Sequence, residues 1–283
     1  MKKIILALAA LTAVACNSST PSTTTVAATA TPKNKLVLTG SSTVAPLAVE
    51  IGKRFETKHA GLHVDVQTGG SQRGVTDAQS GLADIGDVSR DLKPEEKAAG
   101  LVQTSIALDG ICVILHKENP VKELTNEQVV AIYTGKITDW KEVGGKKGPI
   151  TVINKDEGRS TLELFTKYFA IETKDIKASA IIGDNEQGIK TVAGNPGAIG
   201  YVSIGTAEFD QKHGTAIKLI PMKGVMPSVD NVKNGSFPLS RPLNLVTKGE
   251  PTGLAKEFIE YAKSAEVQDL VRDQYFVSIA PGA

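Results

Sequence analysis

The chain has 283 residues, a net charge of +1, 41% hydrophobic residues and 22% charged ones. So even a balance gives no reason to expect nucleic acid as a partner, because binding a polyanion rests on an excess of clustered Lys and Arg. Only two cysteines are present, Cys16 and Cys112, and the first reads as an acylation site, so no disulfide is expected in the mature chain.

The first residues, MKKIILALAALTAVAC, read as a signal peptide over 1–15: a basic start at Lys2 and Lys3, a short apolar core from Ile4 to Leu11, and small residues before Cys16. The apolar core is too short to span a bilayer. Cys16 follows the small residues as in a lipobox, with Ala13 where leucine is usual, and is the expected lipidation site. Residues 16–34 then read as a lipidated cysteine and a flexible Ser/Thr/Ala/Pro tether that cannot bury a core. The expected location is the periplasm or outer cell surface, lipid-anchored to a bacterial membrane.

From Lys35 onward the pattern is strand, then small hydroxylated turn, then helix. KLVLTG predicts a buried strand, and Val44, Leu47, Ala48, Ile51 and Phe55 repeat on one helical face, with Pro46 in the first turn. Between them stand Ser41, Ser42 and Thr43. Such hydroxyls serve equally as helix caps or as a cradle for an anion such as phosphate or sulfate. The pattern returns at His63–Gly81, with Gly69, Gly70 and Ser71 at the turn. It returns again at Ile150–Phe169, with Gly158, Arg159, Ser160 and Thr161. Three such junctions favour the cradle, because an open α/β sheet gathers ligands at the carboxyl ends of its strands.

A further short strand, ADIG, ends in Asp87, Ser89 and Arg90; an extended backbone there points Asp87 and Ser89 to one side and Arg90 to the other. Ile106–Lys117 is the expected first crossing strand between two lobes, with Cys112 as a buried small hydrophobe. LTNEQVVAIYTGK predicts a helix of the second lobe, Leu243–Val246 the return crossing, and GLAKEFIEYAKSAEVQDLVRD a helix that rejoins the first lobe. The expected division is 35–112 and 243–283 for lobe 1, and 113–242 for lobe 2.

The segments GSSTVAPL, TGGSQRG, ADIGDVSR, YTGKITDW, EGRSTLELF, NPGAIGYVS and NGSFPLSRPLNLVTKG, in this order, resemble the phosphate-binding proteins of bacterial phosphate ABC transporters. The resemblance runs from about Lys35 to the end, and its most specific part is Asn234–Leu243. It implies an α/β periplasmic binding protein of type II: two lobes, each a mainly parallel sheet flanked by helices, two crossing hinge strands, and a phosphate held between the lobes. Its expected contacts are Ser41, Ser42, Thr43, Ser71, Ser89, Arg90, Arg159, Ser160 and Thr161. Arg159 and Ser160 depart from the family's usual Gly-Ser-Gly-Thr loop, so the positive charge is expected from Arg159, Lys155 or both. Ser89 stands where some relatives carry the aspartate that accepts the phosphate proton. Asp87 is then either that acceptor or an aspartate bonded to nearby backbone.

The implied role is delivery of inorganic phosphate, by a monomer, to an ABC import permease, with no cofactor and no metal. The alternatives are a binding protein or sensor lobe for sulfate, arsenate or molybdate, and a phosphatase using Ser41, Ser42 or Ser160. The phosphatase lacks a base: His59, His63, His116 and His213 all fall outside the junctions.

Overall fold

Lys35–Gly40 forms β1, followed by α1 (Ala45–Glu56), β2 (His63–Thr68), α2 (Ser71–Ser80) and β3 (Ile85–Val88), in a computed structural model that describes residues 34–279. The signal peptide, Cys16 and the tether up to residue 33 lie outside the described residues. β1 pairs in parallel with both β2 and β3, so each connection must cross over the sheet, and α1 and α2 are those crossovers. The face of α1 that carries Leu47, Ala48, Ile51 and Phe55 is buried, as the three-and-four spacing predicts.

After α3 (Pro94–Ala98), one 16-residue strand, β4 (Leu101–His116), runs antiparallel to β9 (Ser240–Lys248), with a bulge between Ser105 and Ala107. These two strands join two hydrophobic cores. Ile106, Ala107, Leu243 and Leu245 pack with Leu38, Leu47, Phe55 and Phe258 in the first. Ile111 to Leu115 and Leu239 pack with Val129, Phe165, Ile189 and Tyr201 in the second. On β4 the cores change between Ala107 and Ile111, just ahead of the expected 112/113 division. Cys112 is fully buried in the second core, and burial pushes its thiol well above the ordinary range.

The second core is built from α4 (Asn126–Tyr133), β5 (Thr151–Lys155), α5 (Ser160–Phe169), β6 (Ala180–Ile182), α6 (Asn185–Ala193), β7 (Ala198–Ser203), α7 (Ile204–Lys212), β8 (Ile217–Ile220) and α8 (Val229–Lys233). β5 is parallel to β6 and β7, whereas β4 is antiparallel to β7 and β8. The main path through the ten strands is β2-β1-β3-β9-β4-β7-β5-β6. The parallel pairs lie toward its two ends and the antiparallel hinge strands between them.

The last predicted helix is two: α9 (Gly253–Lys263) and α10 (Gln268–Asp273), which precede a short β10 (Val277–Ser278) on β4. The break lies at Ser264, whose backbone is extended and whose hydroxyl donates to the Tyr261 carbonyl at 2.8 Å. Local side-chain bonding of this kind competes with the helix ladder. Phe258 and Val271 pack in the first core. Val277 packs into the second.

Candidate functional site

Ser41, Ser42, Thr43, Gly70, Ser71, Ser89, Lys155, Arg159, Ser160, Thr161 and Gly183 line one small cavity, which leaves only about 10 Å³ for the centre of a water-sized sphere. That is about the room one water needs. Four helices start on it, α1, α2, α5 and α6, and none of their N-caps (Val44, Gly70, Arg159 and Asp184) makes a side-chain capping bond. Of the helices that start elsewhere, α4, α7 and α8 are capped by Thr125, Ser203 and Ser228, whereas α3, α9 and α10 also make no such bond, so it is the convergence of the four starts, and not the missing caps alone, that sets the cavity apart. The positive ends of four helix dipoles, with N–H groups that no side chain caps at α2, α5 and α6, gather where an anion can satisfy them.

The strand ends explain why the junctions meet. The Gly40 carbonyl accepts from the Gly69 and Gly70 N–H groups at 2.9 Å, and the Ser41 N–H donates to the Asp87 carbonyl at 2.8 Å. These bonds tie the ends of β1, β2 and β3 together. The Gln72 N–H then donates to the Gly158 carbonyl at 3.0 Å, joining the first half of the site to the second. Gly70 has φ +92°, and a Cβ there would lie 2.7 Å from the Gly158 oxygen, so only glycine allows this approach.

The hydroxyls bond one another. Ser41 Oγ accepts from the Thr43 N–H at 3.1 Å and donates to Ser89 Oγ at 2.8 Å. Ser71 Oγ donates to Ser160 Oγ at 3.1 Å, and Ser89 Oγ lies 2.7 Å from Ser160 Oγ. Ser41 thus serves its own helix start and the cavity at once, so the two readings of the first junction were not exclusive.

The positive charge lies on the second half. Lys155 ends β5, positioned by the Tyr201 hydroxyl, which accepts its N–H at 3.3 Å; the Tyr201 ring stacks on Phe165 at 3.8 Å. Its Nζ donates to the Asp184 carbonyl at 2.9 Å and to Asn185 Oδ1 at 3.3 Å. Burial, with Arg159 and Arg241 nearby, lowers this amine to about 7. Arg159 donates to Asp184 Oδ1 at 2.8 Å, while its Nε is buried without a partner.

Two expected residues lie elsewhere. Arg90 does not line the cavity: its guanidinium forms paired 2.8 Å bonds to Glu96 and lies 3.0 Å from Glu163 of α5. Asp87 does not line it either. Opposite Gly40 and Leu245 and two residues from Ile85, it shares the face of the first core. Both its carboxyl oxygens are buried without a hydrogen-bond partner, and burial pushes its pKa well above the usual carboxylate range.

Three residues were missed. Arg241, inside the SRPL segment, donates to Thr43 Oγ1 at 3.0 Å, Thr161 Oγ1 at 3.0 Å and Ser89 Oγ at 3.4 Å. Asp109 holds it at 2.9 and 3.1 Å. Asn185 donates to Thr43 Oγ1 at 2.9 Å. The signal for Arg241 was its place in the most specific segment, but nothing local says which way it turns. None of the four histidines lines the cavity, and no group of His, Cys, Asp or Glu suited to a metal occurs among the described residues.

A profile for the PBP superfamily domain matches residues 25–266. The phosphate-binding protein PstS of Bacillus subtilis is 33% identical over 250 residues, 86% of this chain and 80% of that protein. Among solved structures, a substrate-binding protein of Clostridium perfringens with bound phosphate is 35% identical at a TM-score of 0.80, covering 87% of this chain and 100% of that one. An ABC-type phosphate transport receptor of Vibrio cholerae is 28% identical at a TM-score of 0.70, covering 86% and 99%. The two cores, the crossing strands β4 and β9 and the anion-ready cavity accord with these likenesses: the chain belongs to the PBP superfamily, a two-lobe α/β binding protein of the PstS phosphate-binding family.

Proposed function

We propose that the chain binds inorganic phosphate outside the cytoplasm and passes it to the membrane permease of a phosphate ABC transporter. The observation that carries this reading is the convergence of four helix starts with Lys155 and Arg159 on one small cavity. Ser41, Ser42, Thr43, Ser71, Ser89, Ser160 and Thr161 supply hydroxyl donors, and Arg159 and Lys155 supply charge. The residues of lobe 1 (35–112 and 243–283) and lobe 2 (113–242) close on the ion as a clamp, hinged on β4 and β9. The protein acts as a monomer anchored through Cys16, which lies outside the described residues.

Binding rather than turnover is supported by the hydroxyls' surroundings. The side-chain partners of Ser41, Ser71, Ser89 and Ser160 are one another and Arg241, and a nucleophile needs a base. A second reading, an oxyanion without a proton such as sulfate, is favoured by one observation: no carboxylate lines the cavity. Calorimetric titration of the phosphate-stripped protein with phosphate, sulfate, arsenate and molybdate separates the two. Phosphate is expected to bind tightest; sulfate binding equally well sinks the phosphate reading.

A further inference from the structure

Arg241 and Asp109 belong to the two hinge strands, β9 and β4, and face each other in register. Their side chains are about 1% exposed. Behind the cavity, the Arg241 fork reaches hydroxyls from both halves: Thr43 and Ser89 of the first, Thr161 of the second. Asp109 also accepts the Gly205 N–H of α7 at 3.1 Å, so the pair is held from the second core as well.

A hydroxyl has two acceptor sites and one proton. At Thr43 both acceptor sites are filled, by Arg241 Nη2 at 3.0 Å and Asn185 Nδ2 at 2.9 Å. The Asn185 amide is oriented by its other end, since its Oδ1 accepts from Lys155. The Thr43 proton is therefore free only to point away from both donors, and Thr43 lines the cavity. Thr161 has one acceptor site filled by Arg241 in the same way. We propose that Arg241, fixed by Asp109, is a positioning residue for anion binding: from the hinge it commits hydroxyls of both halves as donors to the ion and completes their network only when the halves are together. This inference rests on the phosphate reading and adds a hinge-borne element to it.

Removing Arg241 alone would strand the buried Asp109 charge and could unfold the chain, whereas replacing both partners by apolar groups is commonly tolerated. The test is therefore the paired variant Arg241→Met with Asp109→Leu, combined with Thr43→Val in a double-mutant cycle read by phosphate calorimetry. Folding is checked by thermal unfolding, and Arg241→Lys with Asp109 intact serves as the folded single variant. The paired variant should lose at least about a hundredfold in phosphate affinity. Thr43→Val should cost about tenfold in the parent but under about threefold in the paired background, because the hydroxyl is no longer committed. Arg241→Lys should recover only part of the loss, lacking the fork that spans Thr43 and Thr161. Equal cost of Thr43→Val in both backgrounds, or in the parent and Arg241→Lys if the paired variant does not fold, overturns the proposal while leaving phosphate binding standing. Absence of phosphate binding in the parent overturns both.

Discussion

The two halves of the cavity wall divide the work unequally. The half built on β1, β3, α1 and α2 presents Ser41, Ser42, Thr43, Ser71 and Ser89 and no cation, because Arg90 is turned away to Glu96 and Glu163. The half built on β5, α5 and α6 presents Ser160 and Thr161 together with Lys155 and Arg159. Neutral donors are cheap to expose to water, whereas charges held ready in a low-dielectric wall repel one another. The cost shows at Lys155, whose amine falls to about 7, chiefly through burial and then through Arg159 and Arg241. A dianion offsets both the burial and the repulsion, so the charged half has the larger stake in the ion. The hydroxyl half closes a network already half formed.

The largest effect should come from stripping the charge of the second half. Lys155→Met with Arg159→Met removes two charged donors, each worth roughly 1.5–3 kcal/mol. Phosphate affinity should drop about a thousandfold in calorimetry, with the melting temperature of the ligand-free protein unchanged or raised. A loss of under about tenfold would place the charge elsewhere.

A smaller effect is expected in the dependence on pH. The folded Lys155 amine titrates at about 7, well below the ordinary lysine value near 10.4. Between those values the unfolded chain holds a proton that the ligand-free fold lacks, so stability falls as pH drops from about 10 to 7 and levels off below. Relative to Lys155→Met, the parent should melt progressively lower over that window. Anion binding reverses the sense: the ion favours the charged amine, so binding above pH 7 takes up a proton. Calorimetry at pH 8 in two buffers of different ionisation heat should count more uptake in the parent than in Lys155→Met. Phosphate's own ionisation is common to both and cancels. Equal uptake would show that Lys155 does not charge on binding.

The smallest effect belongs to Asp87, the carboxyl of the hydroxyl half. Because it lies on the core face and not in the cavity wall, Asp87→Asn should change phosphate affinity, and its ratio to sulfate, by less than about threefold. Its pKa is pushed up by burial, so its contribution is favourable only at low pH and is lost as pH rises through its folded value. The Asn variant should therefore gain on the parent in thermal stability from about pH 4 upward. A marked rise in sulfate competition would instead make Asp87 the proton acceptor after all.

What the sequence settled by itself is local. The strand-to-hydroxyl-to-helix junctions at Ser41, Ser71 and Ser160 follow from hydrophobic periodicity and small residues at the turns. Both are short-range signals, and all three junctions form as expected. The fate of the arginines was not local. Arg90 and Arg241 both stand in motifs that resemble the family's, next to serines, and nothing within a few residues distinguishes them. Arg90 is claimed by Glu96, six residues on, and by Glu163 of α5; Arg241 is claimed by Asp109, 132 residues earlier. A buried guanidinium goes where its carboxylates are, because an unpaired charge out of water is too costly. Likewise the period of two correctly put Asp87 and Ser89 on one side. Only the pairing of β3 between β1 and β9 decided that Ser89 clears the sheet edge into the cavity while Asp87 stays over the first core. Strand pairing and long-range ion pairs assign side chains to the cavity, and both are properties of the assembled sheet, which no short window of sequence contains.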